Sequence, residues 1–363
     1  MLETVIIGGG LNGLALANLL HGARREFALF EARDRLGGRV LGTAEGHDLG
    51  PTWFWPDHQP RITRLVADLG LTSFPQWETG SHLHQQEAGG KPSVFEQTDV
   101  HGGARRLAGG MRTLIDALAA RLPSRQIHLG QALTGLRDRG SHIEIYLSQA
   151  RGESILSARN VVLAMPPRLV EEHVAFDPQL AARTRLALRN SPTWMAAQAK
   201  LITTYPTAFW RRQGYSGTAT ARHTQTVLAE TWDAGEEVGS ESGRAALGAF
   251  LALSPTHRDD FRAGLEMLAV SQLGQLFGTA AHDGERHYHD WAEEPHTCSV
   301  LDRSPPLAHP EYGDRELQHP SWQGKLHFGS TETAAYGGGY LEGALEAAGR
   351  IRRELSLGWT QAA

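Results

Sequence analysis

The stretch Thr4–Gly13, TVIIGGGLNG, constrains the fold of this chain more than any other feature of its sequence. An apolar run ends in glycines with the GxGxxG spacing, an apolar helical pattern follows, and a second apolar run, Phe27–Phe30, ends on Glu31. The spaced glycines are Gly8, Gly10 and Gly13. The first permits a tight turn, the second lets the backbone approach a pyrophosphate, and the third lets the helix pack closely on the strand. The sequence therefore predicts a strand–turn–helix–strand unit that binds a dinucleotide.

Glu31, at the tip of the second predicted strand, indicates which dinucleotides suit this unit. Its carboxylate can accept hydrogen bonds from ribose hydroxyls, and its charge would repel a 2′-phosphate, which disfavours NADP. The N-terminus of the predicted helix, with its free N–H groups, faces the phosphates. A glycine turn alone would match many structural turns by chance, but the flanking strand, helix and acid favour dinucleotide binding.

The composition excludes several classes of protein. The net charge is −5 with no long basic or acidic run, so the chain carries no electrostatic footprint for nucleic acid or an anionic membrane. No apolar run approaches the roughly 20 residues that span a bilayer. The first strand begins near Thr4, so we expect no signal peptide. The single cysteine suits a reducing compartment, and a cytoplasmic location is therefore expected.

The histidines raise the question of a metal site because 18 are present. Two pairs, His82/His84 and His287/His289, have the spacing of two that places both side chains on one face of a strand. No HExxH motif and no cysteine-paired spacing accompanies them. We therefore expect solvent-facing histidines and no metal.

A second motif follows the glycine turn directly. EARDRLGGR, Glu31–Arg39, resembles the second signature of the flavin-containing amine oxidases (monoamine, polyamine and L-amino-acid oxidases) and their desaturase relatives. The resemblance implies that Gly37, Gly38 and Arg39 run along the FAD pyrophosphate towards the flavin, with Arg33 adding positive charge. A nicotinamide dehydrogenase has no need of this second loop. The expected cofactor is therefore FAD, bound non-covalently.

The segment His327–Gly349 resembles the closing motif of the same family. The resemblance implies that Glu332 binds the ribityl or phosphate region of FAD. It also implies that the helix after Gly339, beginning near Leu341, aims its N-terminus at the isoalloxazine C2 carbonyl, where it would stabilise negative charge. Tyr340 occupies the position of one wall of an aromatic cage that guides the amine to the flavin.

Lys200 is the residue for which the resemblance implies the most direct chemistry. Alternating apolar residues predict a strand around it, and Phe209-Trp210 follows at the spacing seen in the family. The family lysine holds a water near the flavin N5 and is implicated in reoxidation by oxygen. An exposed strand lysine is the alternative interpretation. Leu133 stands where the family places an apolar contact to the adenine.

Four further residues are predicted to line the substrate pocket. Trp53 and Trp55 belong to an aromatic cluster that either walls the pocket or packs in a core at a domain edge. Trp291 begins a W-x-x-E motif after which the family carries its second cage tyrosine, but no tyrosine follows here. Cys298 is close to a site of covalent flavin attachment in some monoamine oxidases, and a small apolar filler is the interpretation we favour.

The resemblance also implies the architecture. It predicts an α/β fold in which a Rossmann-like FAD-binding domain of the GR2 type, a parallel sheet with helices, is interleaved with a substrate domain built on a mixed β-sheet flanked by helices. We assign residues 1–55, 104–167 and 291–363 to the FAD domain, and residues 56–103 and 168–290 to the substrate domain. Within the latter, Arg61–Leu69 has the pattern of an amphipathic helix.

These features together predict an FAD-dependent oxidoreductase. It would oxidise a small-molecule amine at the C–N bond by hydride transfer to flavin N5, and O2 would reoxidise the flavin with release of H2O2. A desaturase or dehydrogenase with another acceptor, a non-catalytic FAD-binding protein and a nicotinamide-only dehydrogenase are the alternatives. The sequence does not identify the substrate, and it leaves the oligomeric state open, a homodimer being one option.

Overall fold

The computed structural model describes residues 1–96, 99–150, 152–236 and 245–359. Strands and helices are numbered in chain order within these ranges. The strands are β1 (Leu2–Ile7), β2 (Phe27–Phe30), β3 (Ser73–Pro75), β4 (Ser81–Gln85), β5 (Ser93–Phe95), β6 (Arg105–Leu107), β7 (Ile127–His128), β8 (Gln131–Asp138), β9 (Ile143–Gln149), β10 (Gly152–Leu163), β11 (Ala175–Asp177), β12 (Ala199–Tyr205), β13 (Tyr215–Ala221), β14 (Leu228–Asp233), β15 (Ala245–Leu251), β16 (Glu285–Asp290) and β17 (Leu326–Phe328). The α-helices are α1 (Leu11–Gly22), α2 (Pro60–Asp68), α3 (Arg112–Ala120), α4 (Pro167–His173), α5 (Ala182–Asn190), α6 (Phe209–Arg212), α7 (Pro255–Asp260), α8 (Leu265–Phe277), α9 (Arg315–Gln318) and α10 (Leu341–Trp359).

The first sheet has the predicted nucleotide-binding topology. Strand β1 lies between β10 and β2, β7 extends the β2 side, and β17 pairs with β10, all in parallel. Because a parallel sheet is covered on both faces, its central strands carry apolar runs, such as Val5–Ile7 in β1, Phe27–Phe30 in β2 and Val161–Leu163 in β10. Ile6 joins the core formed with α1, α3 and α10, whereas Val5 and Ile7 join the core on the opposite face. The predicted α/β fold is confirmed.

Strand β10 changes partners along its length. Its first half, Gly152–Ala158, pairs antiparallel with β9, and its second half pairs parallel with β1 and β17. Strands β8 and β11 extend the sheet beyond β9. One long strand therefore joins an antiparallel meander to the parallel nucleotide-binding part.

The second sheet is mixed, as predicted, with the strand order β16-β12-β15-β14-β13-β4-β5. Neighbouring strands are antiparallel except for β13 and β4, which are parallel. Apolar side chains on one face pack against α8. On the other face, Ile202, Trp232 and Phe250 pack with Leu49 and Trp53 of the segment that leaves the first sheet. Lys200 and Phe250 on this second face line a cavity beside the first sheet.

Both segments predicted as substrate domain are divided between the two cores. Helix α2 begins one residue before the predicted helix Arg61–Leu69, and its Ile62 and Val66 join the core of the first sheet. The buried carboxylate of Glu342, in α10, accepts hydrogen bonds from the backbone N–H groups of Arg61 and Ile62 and so caps α2. Helices α4 and α5 and strand β11 also pack on the first sheet. These contacts join segments distant in sequence, so local patterns did not reveal them.

The histidine pairs are not solvent-facing, contrary to expectation. His82 is buried, and both His82 and His84 direct a ring nitrogen at the Thr220 hydroxyl, at 3.4 and 2.8 Å. His289 contacts the ring of Trp291 edge-on. Among the described residues, no group of three or more His, Cys, Asp or Glu side chains is arranged to hold a metal. No helix in the described ranges is long and apolar enough to cross a membrane.

Candidate active site

A cavity of about 730 Å³ lies between the carboxyl ends of the first sheet and the inner face of the second. This is the place where α/β folds bind their ligands, and the volume is in the range of cofactor and substrate sites. The described residues that line it are drawn from both glycine loops, from the segment 49–55, from the second sheet and from the start of α10. One end is built mainly of backbone, the other mainly of side chains.

At the cofactor end, the two glycine loops are pressed against each other. Gly10 forms an isolated bridge with Gly37, and the Gly37 N–H donates to the Gly9 carbonyl at 2.9 Å. A Cβ on Gly13 would overlap the carbonyl oxygen of Gly8, and Gly8 itself has a φ of +114°. Helix α1 begins directly after Gly10, which has no side chain to cap its first N–H groups. The backbone is therefore free to approach a pyrophosphate.

Glu31 lies beside the α1 N-terminus at the cavity wall, as predicted. Its carboxylate accepts hydrogen bonds from the N–H groups of Gly9, at 2.6 Å, and of Arg33, at 2.9 Å. These bonds fix its direction, and the remaining lone pairs suit ribose hydroxyls. Leu133 lines the same part of the cavity. The residues thus fit the adenosine half of a dinucleotide.

Arg33 is engaged by the protein rather than left as a free positive charge. Its guanidinium donates to the Glu294 carboxylate at 2.8 Å and to the Thr297 hydroxyl at 2.9 Å. Burial acts to raise the pKa of Glu294, but the hydrogen bond from Arg33 and the charges of Arg33, His289 and Arg35 together outweigh it and hold the pKa below its ordinary value. Arg33 therefore joins residues 294–297 to the segment between the two glycine loops.

The pair Arg39–Glu332 joins the second glycine loop to the closing turn. The guanidinium lies 2.8 Å from one carboxylate oxygen of Glu332, whose side chain is completely buried. The two groups are not aligned as a hydrogen bond, and within the described residues neither carboxylate oxygen of Glu332 has a hydrogen-bond donor. A buried carboxylate with unused acceptors fits the hydroxyl-bearing middle of FAD. Gly339 and Leu341 line the adjoining wall, where α10 begins.

Lys200, on β12, marks the other end of the cavity. Its ammonium group donates to the Gly50 carbonyl at 2.7 Å and to the Thr52 hydroxyl. It lies 5.1 Å from the ring centroid of Trp232 and 5.6 Å from that of Phe250. The side chain is buried, so the alternative of an exposed strand lysine does not hold.

The environment of Lys200 shifts its protonation. Burial lowers the pKa of Lys200 to about 7, while the nearby Asp48 carboxylate acts to raise it and Arg106 acts to lower it. Burial likewise raises the pKa of Asp48 to about 6, although Lys200 and Arg106 oppose this. The charged and neutral forms of the Lys200 amine are therefore close in free energy near neutral pH.

Aromatic rings form the remaining walls. Trp53, Trp55, Phe250 and Tyr340 line the cavity, and Trp55 meets Tyr340 edge-on with centroids 6.2 Å apart. Tyr340 is also stacked on His309, with centroids 4.9 Å apart and planes within 9°. The interpretation of Trp53 and Trp55 as pocket walls thus agrees with their position. Trp55, rather than a second tyrosine, is the ring that meets Tyr340 at the cavity.

The other two residues predicted to line the pocket, Trp291 and Cys298, differ in their position relative to the cavity. Trp291 lines the cavity and donates its indole N–H to the Leu49 carbonyl at 2.9 Å. The described cavity-lining residues include His296 and Thr297 but not Cys298. The thiol is directed at the Ser299 carbonyl, and burial raises its pKa to about 12. An undissociated thiol outside the cavity wall does not suit covalent flavin attachment.

Several residues of this site were missed from the sequence. Thr52, Trp232 and Phe250 surround the Lys200 amine, yet each lies in a segment with ordinary strand or loop composition. Phe250 is the direct cross-strand partner of Lys200, and Glu230 is the partner of Phe250 on the next strand. The strand register places Lys200, Phe250 and Glu230 in one row, so a correct pairing of β12, β15 and β14 would have been the signal for Phe250.

Comparison with known proteins agrees with this geometry. The family model for flavin containing amine oxidoreductases matches residues 86–351, and that for NAD(P)-binding Rossmann-like domains matches residues 6–69. A flavin-containing amine oxidase of Danio rerio is 26% identical over 83% of the chain, and the match spans 56% of that relative's own length. The flavin-containing amine oxidase A of Canis lupus familiaris is 23% identical over 98% of the chain and 85% of its own length.

Two solved structures share the fold over nearly all of their length. Putrescine oxidase bound to putrescine has a TM-score of 0.79 at 20% identity, covering 98% of this chain and 99% of its own. Cyclohexylamine oxidase from Brevibacterium oxydans has a TM-score of 0.78 at 18% identity, covering 99% of both chains. The family match over most of the chain, taken with the glycine loops, Glu31 and Glu332, identifies the family. The chain belongs to the flavin containing amine oxidoreductases, a family of flavin-dependent enzymes, and its cofactor is FAD.

Proposed function

We propose that this enzyme oxidises an apolar monoamine to an imine and passes the electrons to O2, giving H2O2. The single observation that carries the proposal is the position of Lys200. Its buried amine lies in the wall of the same cavity that Trp55, Tyr340 and the FAD-binding loops line. An amine that enters between these rings would meet both the aromatic walls and the reactive half of the cofactor.

When bound, FAD supplies the acceptor for the hydride removed from the carbon next to nitrogen, and O2 then reoxidises it to release H2O2. The imine left behind hydrolyses to a carbonyl compound and ammonia. The chain contributes position and electrostatics rather than a strong base. Trp55 and Tyr340 orient the amine, and the apolar walls exclude bulk water from it.

Lys200 is the residue to which we assign the electrostatic part. Its side chain is held by the Gly50 carbonyl and the Thr52 hydroxyl, so its amine is fixed at the cavity wall. In its charged form it supplies a positive charge that favours the reduction of O2, and it holds a water there. The lowered pKa makes this charge depend on pH near neutrality.

The lining residues also favour a substrate class. Among the described residues that line the cavity, Lys200 is the ionisable group on the second sheet and Tyr340 precedes α10, whereas Glu31, Arg33, Arg39, His173 and His296 are the other ionisable groups of the lining. His296 lies near Arg33 and Glu31, at the cofactor end. A second substrate ammonium would therefore be buried without an opposite charge, at a cost of several kcal/mol, and a substrate carboxylate would find only Lys200, whose amine already binds Gly50 and Thr52. A cyclic or arylalkyl monoamine, such as the substrate that names cyclohexylamine oxidase, fits better than an amino acid or a diamine.

The test is a panel of cyclohexylamine, benzylamine, putrescine and phenylalanine with the purified yellow protein. We expect the two monoamines to bleach the flavin without air and to produce H2O2 in air. Bleaching without peroxide would favour a dehydrogenase that uses another acceptor, and bleaching mainly by phenylalanine or putrescine would contradict the substrate class. Failure of every amine would contradict the function itself. The cytoplasmic location stays a prediction, which cell fractionation would test.

A further inference from the structure

A cluster of charged side chains lies directly behind the tryptophan wall of the cavity. It consists of His101, in the segment before β6, Glu78, in the segment after β3, and Glu230, on β14. The His101 side chain is only 6% exposed. We refer to these three residues as the histidine clasp.

The clasp holds His101 from both sides of its ring. Nδ1 of the imidazole lies 2.7 Å from a Glu78 carboxylate oxygen, and the backbone N–H of His101 donates to the same oxygen at 2.6 Å. Nε2 lies 3.5 Å from a Glu230 oxygen. Because the three residues come from three separate segments, the ring position of His101 couples both loops to the second sheet.

His101 in turn contacts both tryptophans that line the cavity. Its ring lies 4.9 Å from Trp53, centroid to centroid, with the planes inclined by 37°. Its backbone carbonyl accepts the indole N–H of Trp55 at 2.7 Å. The Trp53 indole N–H is bound by Gln76 at 2.8 Å. His101, which is not among the described residues that line the cavity, thus contacts the ring of Trp53 and accepts the indole N–H of Trp55.

The charge on the clasp strengthens these contacts. Burial acts to lower the pKa of His101, but the nearby carboxylate of Glu230 and the hydrogen-bonded carboxylate of Glu78 together outweigh it, so the pKa lies above its ordinary value. His82 and His84, on β4, are the other titratable groups here. Burial and then His84 lower the pKa of His82, while Glu230 acts to raise it. A charged imidazole beside the face of an indole is additionally attracted to it.

We propose that His101 is a positioning residue that fixes Trp53 and Trp55 and thereby sets which amines fit the cavity. The inference rests on the function proposed above, because the tryptophans are assigned to the substrate end. His101 is not a catalytic residue, since it contacts the two tryptophans and does not itself contact the substrate. Without the clasp, the two rings lose their fixed positions, and the discrimination between amines of different width weakens.

The first test compares amines of increasing width, from cyclohexylamine to larger arylalkyl amines, in His101→Leu and Glu230→Gln. Glu230 is half-exposed, so Glu230→Gln offers a variant that keeps the fold if His101→Leu does not. We expect KM for the best amine to rise about tenfold in His101→Leu, the effect of losing one hydrogen bond to a charged group. The preference between narrow and wide amines should shrink by a similar factor, whereas kcat should stay within about twofold because Lys200 and the FAD loops are untouched.

The second test does not depend on turnover. Tryptophan emission of the wild-type holoenzyme should change with a midpoint above the ordinary histidine pKa of about 6.5, because an imidazolium beside Trp53 quenches it. Glu230→Gln should lower this midpoint and His101→Leu should abolish the transition. His257, on α7, is exposed, so His257→Leu is the matched control and should retain the transition.

An unchanged amine preference together with an unchanged emission titration in the clasp variants would overturn the proposal. If no amine is oxidised by the wild type but the titration behaves as expected, the proposed function fails while the clasp stands. If the wild type oxidises amines but the clasp variants keep both its amine preference and its emission transition, the clasp fails and the function stands.

Discussion

The two ends of the cavity are built by opposite means. At the cofactor end, the contacts come from glycine backbone in two loops within the first 40 residues and from one turn near Gly339. At the substrate end, Lys200, Trp232 and Phe250 converge from three strands on a segment around Thr52. In this chain, short motifs of small residues form the cofactor end, whereas large side chains brought together by the fold form the other end.

The largest expected effect breaks the cofactor end alone. Gly13→Val places a side chain against the Gly8 carbonyl, where no space exists, so we expect loss of bound FAD and in part of the folded protein. Gly22→Val, at the end of the same helix and with nothing within 4 Å of its Cβ, is the control. The measurement is the ratio of flavin to protein absorbance after purification. A yellow Gly13→Val protein would contradict the assignment of this loop.

The second-largest expected effect concerns the ion pair of Arg39 and Glu332, which joins the second glycine loop to the closing turn. Arg39→Met leaves the buried Glu332 carboxylate without its cation, and we expect about 3 kcal/mol of lost stability. Arg64→Met, which breaks the exposed pair with Asp68, should change stability by less than about 1 kcal/mol. Urea unfolding of both variants with saturating FAD gives the comparison. Equal losses in the two variants would show that the Arg39–Glu332 pair is not structural.

The substrate end is tested by Lys200→Met. We expect FAD to stay bound, because no glycine loop is touched, while reoxidation by O2 slows by about 100-fold, as when one fixed charge is removed from an active site. Stopped-flow mixing of the reduced protein with O2 measures this rate. Since the pKa of Lys200 is lowered to about 7, its charge is present below that pH and is lost above it.

The wild-type reoxidation rate should therefore fall as the pH rises through about 7, and the rate of Lys200→Met should not depend on pH in this window. Matching pH profiles in the two proteins would exclude Lys200 as the source of the charge.

The smallest expected effect distinguishes a residue that only shapes the cavity from one that takes part in the reaction. Trp55→Phe removes the hydrogen bond to the His101 carbonyl and shortens the ring that meets Tyr340. We expect KM for the amine to rise about fivefold with kcat nearly unchanged, the loss of about one neutral hydrogen bond. Trp322→Phe, beside Phe176 on the first sheet, serves as the control. A fall in kcat with constant KM would instead place Trp55 in the reaction itself.

The same contrast explains how much the sequence revealed. The fold, the FAD cofactor and the family follow from Gly8–Gly13, Glu31–Arg39 and the closing turn, because each motif has a local backbone function. The division into two domains stays a prediction, and the capping of α2 by Glu342, which joins residues 280 positions apart, is a contact that no local pattern indicates. Cys298 was expected near the flavin ring. The structure instead places Thr297 in the cavity wall and directs the Cys298 thiol at Ser299, which sequence spacing alone does not indicate.

The change of partners along β10 has a consequence for synthesis of the protein. Its second half pairs with β1, which has already left the ribosome, and with β17, which is made more than 160 residues later. At a usual rate of elongation, roughly 10 to 30 seconds separate the two strands. During that interval the edge of β10 that receives β17 is unpaired, and Glu332 and α10 have not been made. FAD can therefore be captured in full only by a nearly finished chain, and early loading is limited to its ADP half.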